Sequence, residues 1–195
     1  MATLVALARA QQHPAAAALD ATLLTNLLLG ASEWVELYCN RKFASATFTE
    51  IHSGDGTSIL HLDQLPITAL TSVTILDDDG TSTVLASTDF RYDPQTGELR
   101  FAPDPAGDYT YFPRGFRNVT VVYVAGFAAV PDAVQDAVVE IALTVAAIGK
   151  QAGNLASERL GDYAYTLRNA AAEPGGILSP ATRSTLAMYK VYGIG

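Results

Sequence analysis

The residues with the clearest potential for chemistry are two histidines on neighbouring predicted strands. His52 and His61 flank a turn at Gly54–Gly56, with Asp55 in the turn and Asp63 close behind. If these strands formed a hairpin, the imidazoles would face each other beside a carboxylate, and both groups are zinc ligands. A metal-dependent hydrolase would need a third and a fourth ligand. We therefore favour the alternative, a polar cross-strand pair on a solvated sheet face.

The other candidate sites are weaker. Asp77–Gly80 begins like a calcium loop but lacks the alternating ligand spacing and the distal glutamate, so we expect a hairpin turn. Cys39 is the single cysteine and lies in a helical pattern, which favours a small buried side chain. No phosphate-binding loop, nucleophile elbow or His-Glu-x-x-His motif occurs. We expect no enzyme activity, no catalytic residue, no metal and no cofactor.

The charge balance excludes a conventional nucleic-acid binder. The 195 residues include 20 acidic and 12 basic side chains, for a net charge of -8. Binding to a phosphate backbone requires several converging basic groups, and the longest basic run is Arg41–Lys42. No signal peptide and no membrane segment are expected.

Apolar spacing predicts helices at the beginning of the chain. A short helix over Thr3–Gln12 should end at His13–Pro14, and a long helix capped by Asp20 should cover Ala21–Arg41. Gly30 inside it suggests a close contact with another helix. The expected apolar stripe consists of Leu24, Leu27, Leu28, Ala31, Trp34, Val35 and Tyr38.

The middle of the chain predicts short strands separated by turn residues. The last strand, Asn118–Val124, is apolar on both faces and should be central. The other expected strands are Phe48–His52, Ile59–Leu62, Ala69–Leu76, Thr83–Leu85, Phe90–Tyr92 and Glu98–Phe101.

Helical patterns return after Pro131. The long helix that starts there has almost no polar face, so its own chain or another subunit must cover most of it. A final helix is capped by Ser179 with Pro180 at its first position, and an apolar tail follows. The expected fold class is α+β, a helical bundle formed by N- and C-terminal helices. The helical domain comprises residues 1–43 and 126–195, interrupted by an antiparallel β-rich insert at 44–125.

Several segments in this order resemble one protein family. They are Trp34–Phe43, Gly54–Thr57, Leu65–Ile67, Asn118–Phe127, Val130–Val134 and Ser157–Tyr165. Together they are similar to the head-tail connector (adaptor) proteins of tailed bacteriophages, in the subgroup with a β-domain inserted between helices. The resemblance spans residues 3 to 192.

This resemblance implies a structural protein of the virion neck, made in the host cytoplasm. Its copies would form a ring, usually twelvefold, beneath the portal protein, with a stopper (head-closure) or tail-terminator protein on the other side. DNA would pass through the channel without specific binding. The implied portal-docking tail contains Leu186, Met188, Tyr189, Tyr192 and Ile194. A closed ring needs two different contact surfaces on each copy, and the apolar helix after Pro131 suits one of them. We therefore expect the subunit interface to contain Val134, Val138, Val139, Ile141, Leu143 and Val145.

Two alternatives remain at this point. The chain could be another neck or tail-completion ring protein. It could also be a carbohydrate- or host-binding module of a phage, with Tyr109, Tyr111 and Phe112 lining a sugar site, unless those aromatic side chains pack on the core of the insert.

Overall fold

The computed structural model describes residues 3–102, 110–154 and 178–191, and the side chains of 150–154 are not part of that description. It confirms the α+β class. The chain forms two compact units: Met1–Asn40 with Val130–Val191, and Arg41–Ala129. None of the described helices is long and apolar enough to cross a membrane. The segment Ser157–Tyr165 lies outside the described residues.

The described part of the helical unit contains five helices, and the ends of the longest of them that is capped at both ends follow the capping chemistry of the sequence. Asp20 Oδ1 accepts hydrogen bonds from the backbone N–H groups of Thr22 and Leu23, at 2.9 and 3.1 Å. Asn40 ends the same helix in a left-handed conformation, with φ 51°. Pro14 was expected only to end the preceding helix. It also begins a short helix of its own, because proline suits the first helical position. The helices are α1 (Leu7–Ala10), α2 (Pro14–Ala17), α3 (Ala21–Cys39), α4 (Asp132–Asn154) and α5 (Pro180–Ala187).

The core of this unit lies between α3 and α4. On both helices the buried side chains recur three and four residues apart, as expected for two amphipathic faces. On α3 they are Leu24, Leu28, Ala31, Ser32, Val35 and Cys39. On α4 they are Val134, Ala137, Val138, Ile141 and Ala142. Of the predicted α3 stripe, Leu24, Leu28, Ala31 and Val35 are buried, whereas Leu27, Trp34 and Tyr38 are only half-buried.

Gly30 does not mark a close helix contact. It is exposed, and a Cβ atom built there would meet nothing within 4 Å. The prediction of a close helix contact at Gly30 is therefore wrong. Apolar periodicity locates the buried face of a helix, but it does not show whether a glycine in that helix contacts another helix.

All seven predicted strands are present, and they form two antiparallel sheets. The first sheet has the order β1-β7-β3-β4 and the second has the order β2-β6-β5. The last strand pairs on both sides, so its central position is confirmed. The strands are β1 (Ala46–His52), β2 (Ile59–His61), β3 (Ile67–Leu76), β4 (Ser82–Ala86), β5 (Phe90–Tyr92), β6 (Glu98–Phe101) and β7 (Val119–Ala125).

The predicted hairpin between the two histidine strands is wrong. His52 on β1 is paired with Val119 of β7, whereas His61 on β2 is paired with Glu98 of β6. The turn at Gly54–Gly56 carries the chain from one sheet to the other, since glycine permits a sharp change of direction as readily as a hairpin. The Asp77–Gly80 turn does close a hairpin, between β3 and β4.

The two ends of the β unit are joined by a clasp of three residues: Arg41, Phe43 and Phe127. The Phe127 N–H donates to the Phe43 carbonyl at 2.8 Å, and the two rings stack at 6.2 Å. The Arg41 guanidinium lies 5.4 and 5.2 Å from the ring centroids, within cation–π range. The predicted boundaries assign Phe43 and Phe127 to the helical domain, but both belong to the β unit.

A half-buried carboxylate connects β1 to the rest of the β unit. Glu50 lies 3.0 Å from His52 Nε2, accepts the Asp63 N–H at 3.1 Å and accepts a short hydrogen bond from the Tyr123 hydroxyl. Burial alone would raise the pKa of Glu50, but the hydrogen bonds from His52, Tyr123 and Asp63 outweigh it, so the pKa is lowered. Burial and the same carboxylate raise the pKa of Tyr123.

Substituting two glycines should have opposite effects on stability. A Cβ at Gly54 would lie 1.9 Å from the Pro113 carbonyl oxygen. Gly54→Ala should therefore lower the free energy of unfolding by about 1–3 kcal/mol. Gly30→Ala, in open space on α3, should raise it by about 0.5–1 kcal/mol. Urea unfolding measures both, and a Gly54→Ala protein as stable as wild type would contradict the close approach at Gly54.

The Glu50 network should make stability depend on pH in a defined direction. Because the folded-state pKa of Glu50 lies below the ordinary value of about 4.3, its ionised form stabilises the fold above that pH. This contribution is lost as the pH falls through the folded-state pKa. Glu50→Gln should lower the free energy of unfolding at pH 7 by about 1–3 kcal/mol. Urea unfolding between pH 3 and 7 should show the difference narrowing below about pH 4; a constant difference would contradict the assignment.

Candidate functional site

Helix α4 carries a polar stripe that the sequence analysis missed. Asp132, Asp136, Glu140 and Thr144 recur every four residues, so they lie on one side of the helix. The prediction that this helix has almost no polar face is therefore wrong. Its polar residues are few, but their four-residue spacing places them together on one side. Three positions of the stripe, Asp132, Asp136 and Glu140, contact other segments of the helical unit.

The first contact fixes α1 to the beginning of α4. Arg9 Nη2 donates to Asp136 Oδ1 at 2.9 Å, and Arg9 Nη1 makes a short hydrogen bond to Asp132. These hydrogen bonds raise the pKa of Arg9. Both carboxylates are largely exposed, so the ion pairs position α1 more than they stabilise it.

The second contact attaches α5. Glu140 Oε1 accepts the Ser179 N–H at 3.0 Å, and Glu140 Oε2 accepts a short hydrogen bond from the Thr182 hydroxyl. Ser179 also caps α5 by accepting the Thr182 N–H at 3.2 Å. A carboxylate at this position is favourable because the N-terminus of a helix carries partial positive charge and unpaired N–H groups.

The six residues expected at a subunit interface divide into two groups. Val134, Val138 and Ile141 are buried by their own chain and have no surface to offer a second copy. Val139 and Leu143 are half-buried, and Val145 is 39% exposed. The interface proposal is therefore restricted to Val139, Leu143 and Val145.

Val139 and Leu143 line an open groove within the helical unit. Its opposite wall is the segment from α1 to α2. The groove thus has an apolar strip bordered by charged and polar groups, which is the usual composition of a protein-binding surface. Its other lining residues are Arg9, Gln12, His13, Pro14, Ala15, Asp136, Glu140, Thr144 and Ala147.

The described part of the predicted docking tail is anchored on α3. Leu186 is fully buried, and the Val191 N–H donates to the Cys39 carbonyl at 2.9 Å. Tyr189 is half-buried, whereas Met188 is 78% exposed. Tyr192 and Ile194 lie outside the described residues.

The end of α3 also carries exposed apolar area. Leu37 is 81% exposed, and the Trp34 and Tyr38 rings stack at 5.2 Å. Lys190 Nζ lies 5.5 Å from the Tyr38 ring, which ties the tail to this helix end. We call Leu37, Tyr38, Met188 and Lys190 the helix-end surface.

The alternative chemistries find less support. Within the described parts of the chain, no three His, Cys, Asp or Glu side chains come together as metal ligands. Phe112 is fully buried and packs against Phe90 and Phe101, so it cannot line a sugar site. Tyr111 is 53% exposed. Tyr109 lies outside the described residues.

The fold is similar to that of known proteins, although the sequence is not. No protein-family model and no curated protein matches the chain. Solved structures do match over nearly the whole length. A chain of the neck of an empty gene transfer agent particle, computed with sixfold symmetry, has a TM-score of 0.61 at 17% identity, covering 98% of this chain and 91% of that one. A chain of the native gene transfer agent virion has a TM-score of 0.59 at 18% identity, covering 100% and 94%. A chain of the native neck, computed with twelvefold symmetry, has a TM-score of 0.57 at 18% identity, covering 99% and 96%.

Removing the Glu140 carboxylate should release α5. Glu140→Ala leaves the Ser179 N–H and the Thr182 hydroxyl without this acceptor, so the free energy of unfolding should fall by about 1–3 kcal/mol. Amide hydrogen exchange in α5 should accelerate more than in α3, and Glu140→Gln, which retains an acceptor oxygen, should show a smaller effect. Unchanged α5 exchange in Glu140→Ala would contradict the anchoring role.

Proposed function

We propose that this protein is a structural component of the neck of a tailed-phage-like particle, the head-tail connector (adaptor). The observation that carries the proposal is the similarity of fold, over almost the entire length of both chains, to chains of gene transfer agent particles, two of them from neck structures. The ordered segments that resemble the connector family support the same assignment independently. The role is assembly, not catalysis.

In this proposal copies of the chain form a closed ring in the neck. The similar neck structures were computed with sixfold and twelvefold symmetry, which agrees with a twelve-copy ring. In such a ring each copy presents two different surfaces to its neighbours. Val139 and Leu143, neighbours on one side of α4 that their own chain only half buries, supply part of one of them, and Val145, exposed on another side of the helix, adds further apolar area.

The ring bridges the portal protein on the capsid side and a stopper or tail-terminator protein on the tail side. Its central channel lets DNA pass without specific binding. The net charge of -8 supports this role, because a predominantly acidic protein repels phosphates instead of retaining them.

The portal-docking element is the end of the chain together with the helix-end surface. Met188 contributes the exposed apolar side chain, and Tyr192 and Ile194 extend the tail beyond it. Leu186 acts differently: it anchors the tail in the core of the helical unit. Removing everything from Ser179 onward would therefore damage the fold, so docking is better tested by changes beyond Leu186.

The second candidate is another ring component of the neck. The similar structures are of the whole neck, and their descriptions do not say which role the matching chain has in it. Mixing the purified chain with portal protein alone separates the two. A connector binds the portal directly, whereas a tail-completion protein binds only after a connector is present.

A chain that ends at Val191 and carries Met188→Ser should fold but fail to bind the portal protein of its own particle. Both changes leave Leu186 and the Glu140 contact intact, so the melting temperature should stay within about 2 °C of wild type. Co-sedimentation with portal rings should fall at least tenfold. Ile51→Ser, an exposed apolar position in the β unit, is the matched control for loss of apolar surface and should bind the portal normally. Undiminished binding by the shortened chain would contradict the docking assignment.

A further inference from the structure

A loop of the β unit holds an aromatic ring and two guanidinium groups in solvent. We call Tyr111–Asn118 the Phe116 loop. Phe116 is 87% exposed and Tyr111 53% exposed, and the side chains of Arg114 and Arg117 are exposed as well. Single exposed apolar residues are common and need no explanation. This loop differs from an ordinary exposed loop because hydrogen bonds hold its backbone in place.

The loop is fixed to the segment Ser53–Thr57 by a dense set of hydrogen bonds. Phe112 anchors it in the core, and Gly115 lies so close to Asn118 that a Cβ would be 2.5 Å from the amide nitrogen. The Asn118 side chain spans both segments. The Gly54 N–H donates to Asn118 Oδ1 (2.8 Å), Asn118 Nδ2 donates to the Pro113 carbonyl (2.9 Å), and the Arg117 N–H donates to Ser53 Oγ (2.9 Å). The other three hydrogen bonds join backbone N–H groups to backbone carbonyls: Gly115 to Gly54 (3.1 Å), Gly56 to Phe112 (2.9 Å) and Phe112 to Thr57 (2.7 Å).

The backbone at the tip is held in an uncommon conformation. Arg117 has φ 52°, in the left-handed region that residues other than glycine, asparagine and aspartate seldom adopt. Such a conformation persists where the surrounding contacts determine it. The backbone that carries Phe116 and Arg117 is thus held in one conformation before any partner arrives, which reduces the entropy lost on binding.

The chemistry of the loop fits an acidic and apolar protein surface. Aromatic and arginine side chains are enriched at the centres of protein interfaces. Arg114 donates to the Asp55 carbonyl at 3.0 Å, so Arg117 is the less compensated cation. Two arginines are too few for tight binding to a phosphate backbone.

The same unit carries a matching surface on its other edge. The turn between β3 and β4 exposes Asp78 and Asp79, and beside them Leu76 is 46% and Val84 68% exposed. The Thr81 backbone N–H donates to Asp79 at 2.8 Å and lowers the pKa of that carboxyl, which keeps it ionised. We call these residues, 76–84, the β3–β4 turn.

The sheet places the two surfaces at one end but on opposite edges. The end of β1 is paired with the beginning of β7, which is paired with the end of β3: His52 with Val119, and Val119 with Ile75. The Phe116 loop is bonded to the segment that follows β1, and the turn joins β3 to the edge strand β4. Three strand spacings, about 14 Å, separate the two edges. Copies arranged side by side in the same orientation would bring the loop of one next to the turn of another.

We propose that in the ring the Phe116 loop of one copy packs against the β3–β4 turn of the next copy. Phe116 contacts Leu76 and Val84, and Arg117 pairs with Asp78 and Asp79. The contact joins two different surfaces, so it repeats around a closed ring. It rests on the proposed ring function but is a separate claim about which surfaces meet.

Cysteine cross-linking between full-length chains tests the pairing. One chain carries Phe116→Cys and a second, differently tagged chain carries Val84→Cys, so a disulfide between the two sites can form only between copies. Cys39 is fully buried and stays in both. Under mild oxidation of an equimolar mixture, the mixed product should exceed either same-site product at least tenfold. A mixed yield no more than about twice either same-site yield, the ratio that random pairing gives, or no mixed product, would overturn the proposal.

Charge reversal tests the electrostatic part in the same assay. Adding Arg117→Asp to the loop chain should lower the mixed yield at least fivefold, and adding Asp78→Arg to the turn chain should restore it. Arg91→Asp is the matched control. It changes the net charge by the same amount as Arg117→Asp at an exposed position of β5, and it should not change the mixed yield. If Arg91→Asp lowered the yield as much as Arg117→Asp, the specific pair would be refuted.

Electron microscopy of the same mixture separates this claim from the ring itself. Rings without the mixed product would overturn the loop–turn contact and leave the ring intact. The mixed product without rings would support the contact and contradict the ring. Absence of both would overturn both.

Discussion

The packing of α4 against α3 is the interaction on which the helical unit depends. It joins two stretches of chain separated by the whole β unit, and it buries one face of each helix. Such an arrangement requires the inserted unit to begin and end at nearly the same place, and the clasp of Arg41, Phe43 and Phe127 provides this. The polar stripe of α4 then adds α1 through Arg9 and α5 through Glu140. Helix α4 therefore packs against or bonds to α1, α3 and α5, which are all the described helices of this unit except α2.

The surfaces that remain after this packing are the ones available for assembly. On α4 they are the residues between the buried face and the polar stripe. At the end of α3 they are Leu37 and Met188, which stay exposed although the tail itself is anchored by Leu186. In the β unit they are the Phe116 loop and the β3–β4 turn. A protein with several separate apolar surfaces, each bordered by charge, is suited to binding more than one partner at once.

Local chemistry made much of the fold predictable. Asp20 and Ser179 are strong caps, and the seven β-rich runs are separated by turn residues, so the starts of α3 and α5 and all seven predicted strands followed from neighbours in sequence. The Thr3–Gln12 helix did not: α1 covers only Leu7–Ala10, and Pro14 begins a separate helix. Long-range choices were not predictable in the same way. Whether His52 and His61 would share a hairpin depended on the pairing of β7, which comes much later in the chain. The site was harder still: burial by α3 removes Val134, Val138 and Ile141 from the surface, and only the four-residue spacing of Asp132, Asp136 and Glu140 could have indicated the contacts with Arg9 and Ser179.

Electron microscopy of the purified full-length chain, alone and with portal rings, tests the central claim most directly. We expect rings with rotational symmetry and an open centre, and we expect them to stack coaxially on the portal. A chain that stays monomeric at high concentration and also in the presence of the portal would contradict a connector role, whatever the similarity of its fold.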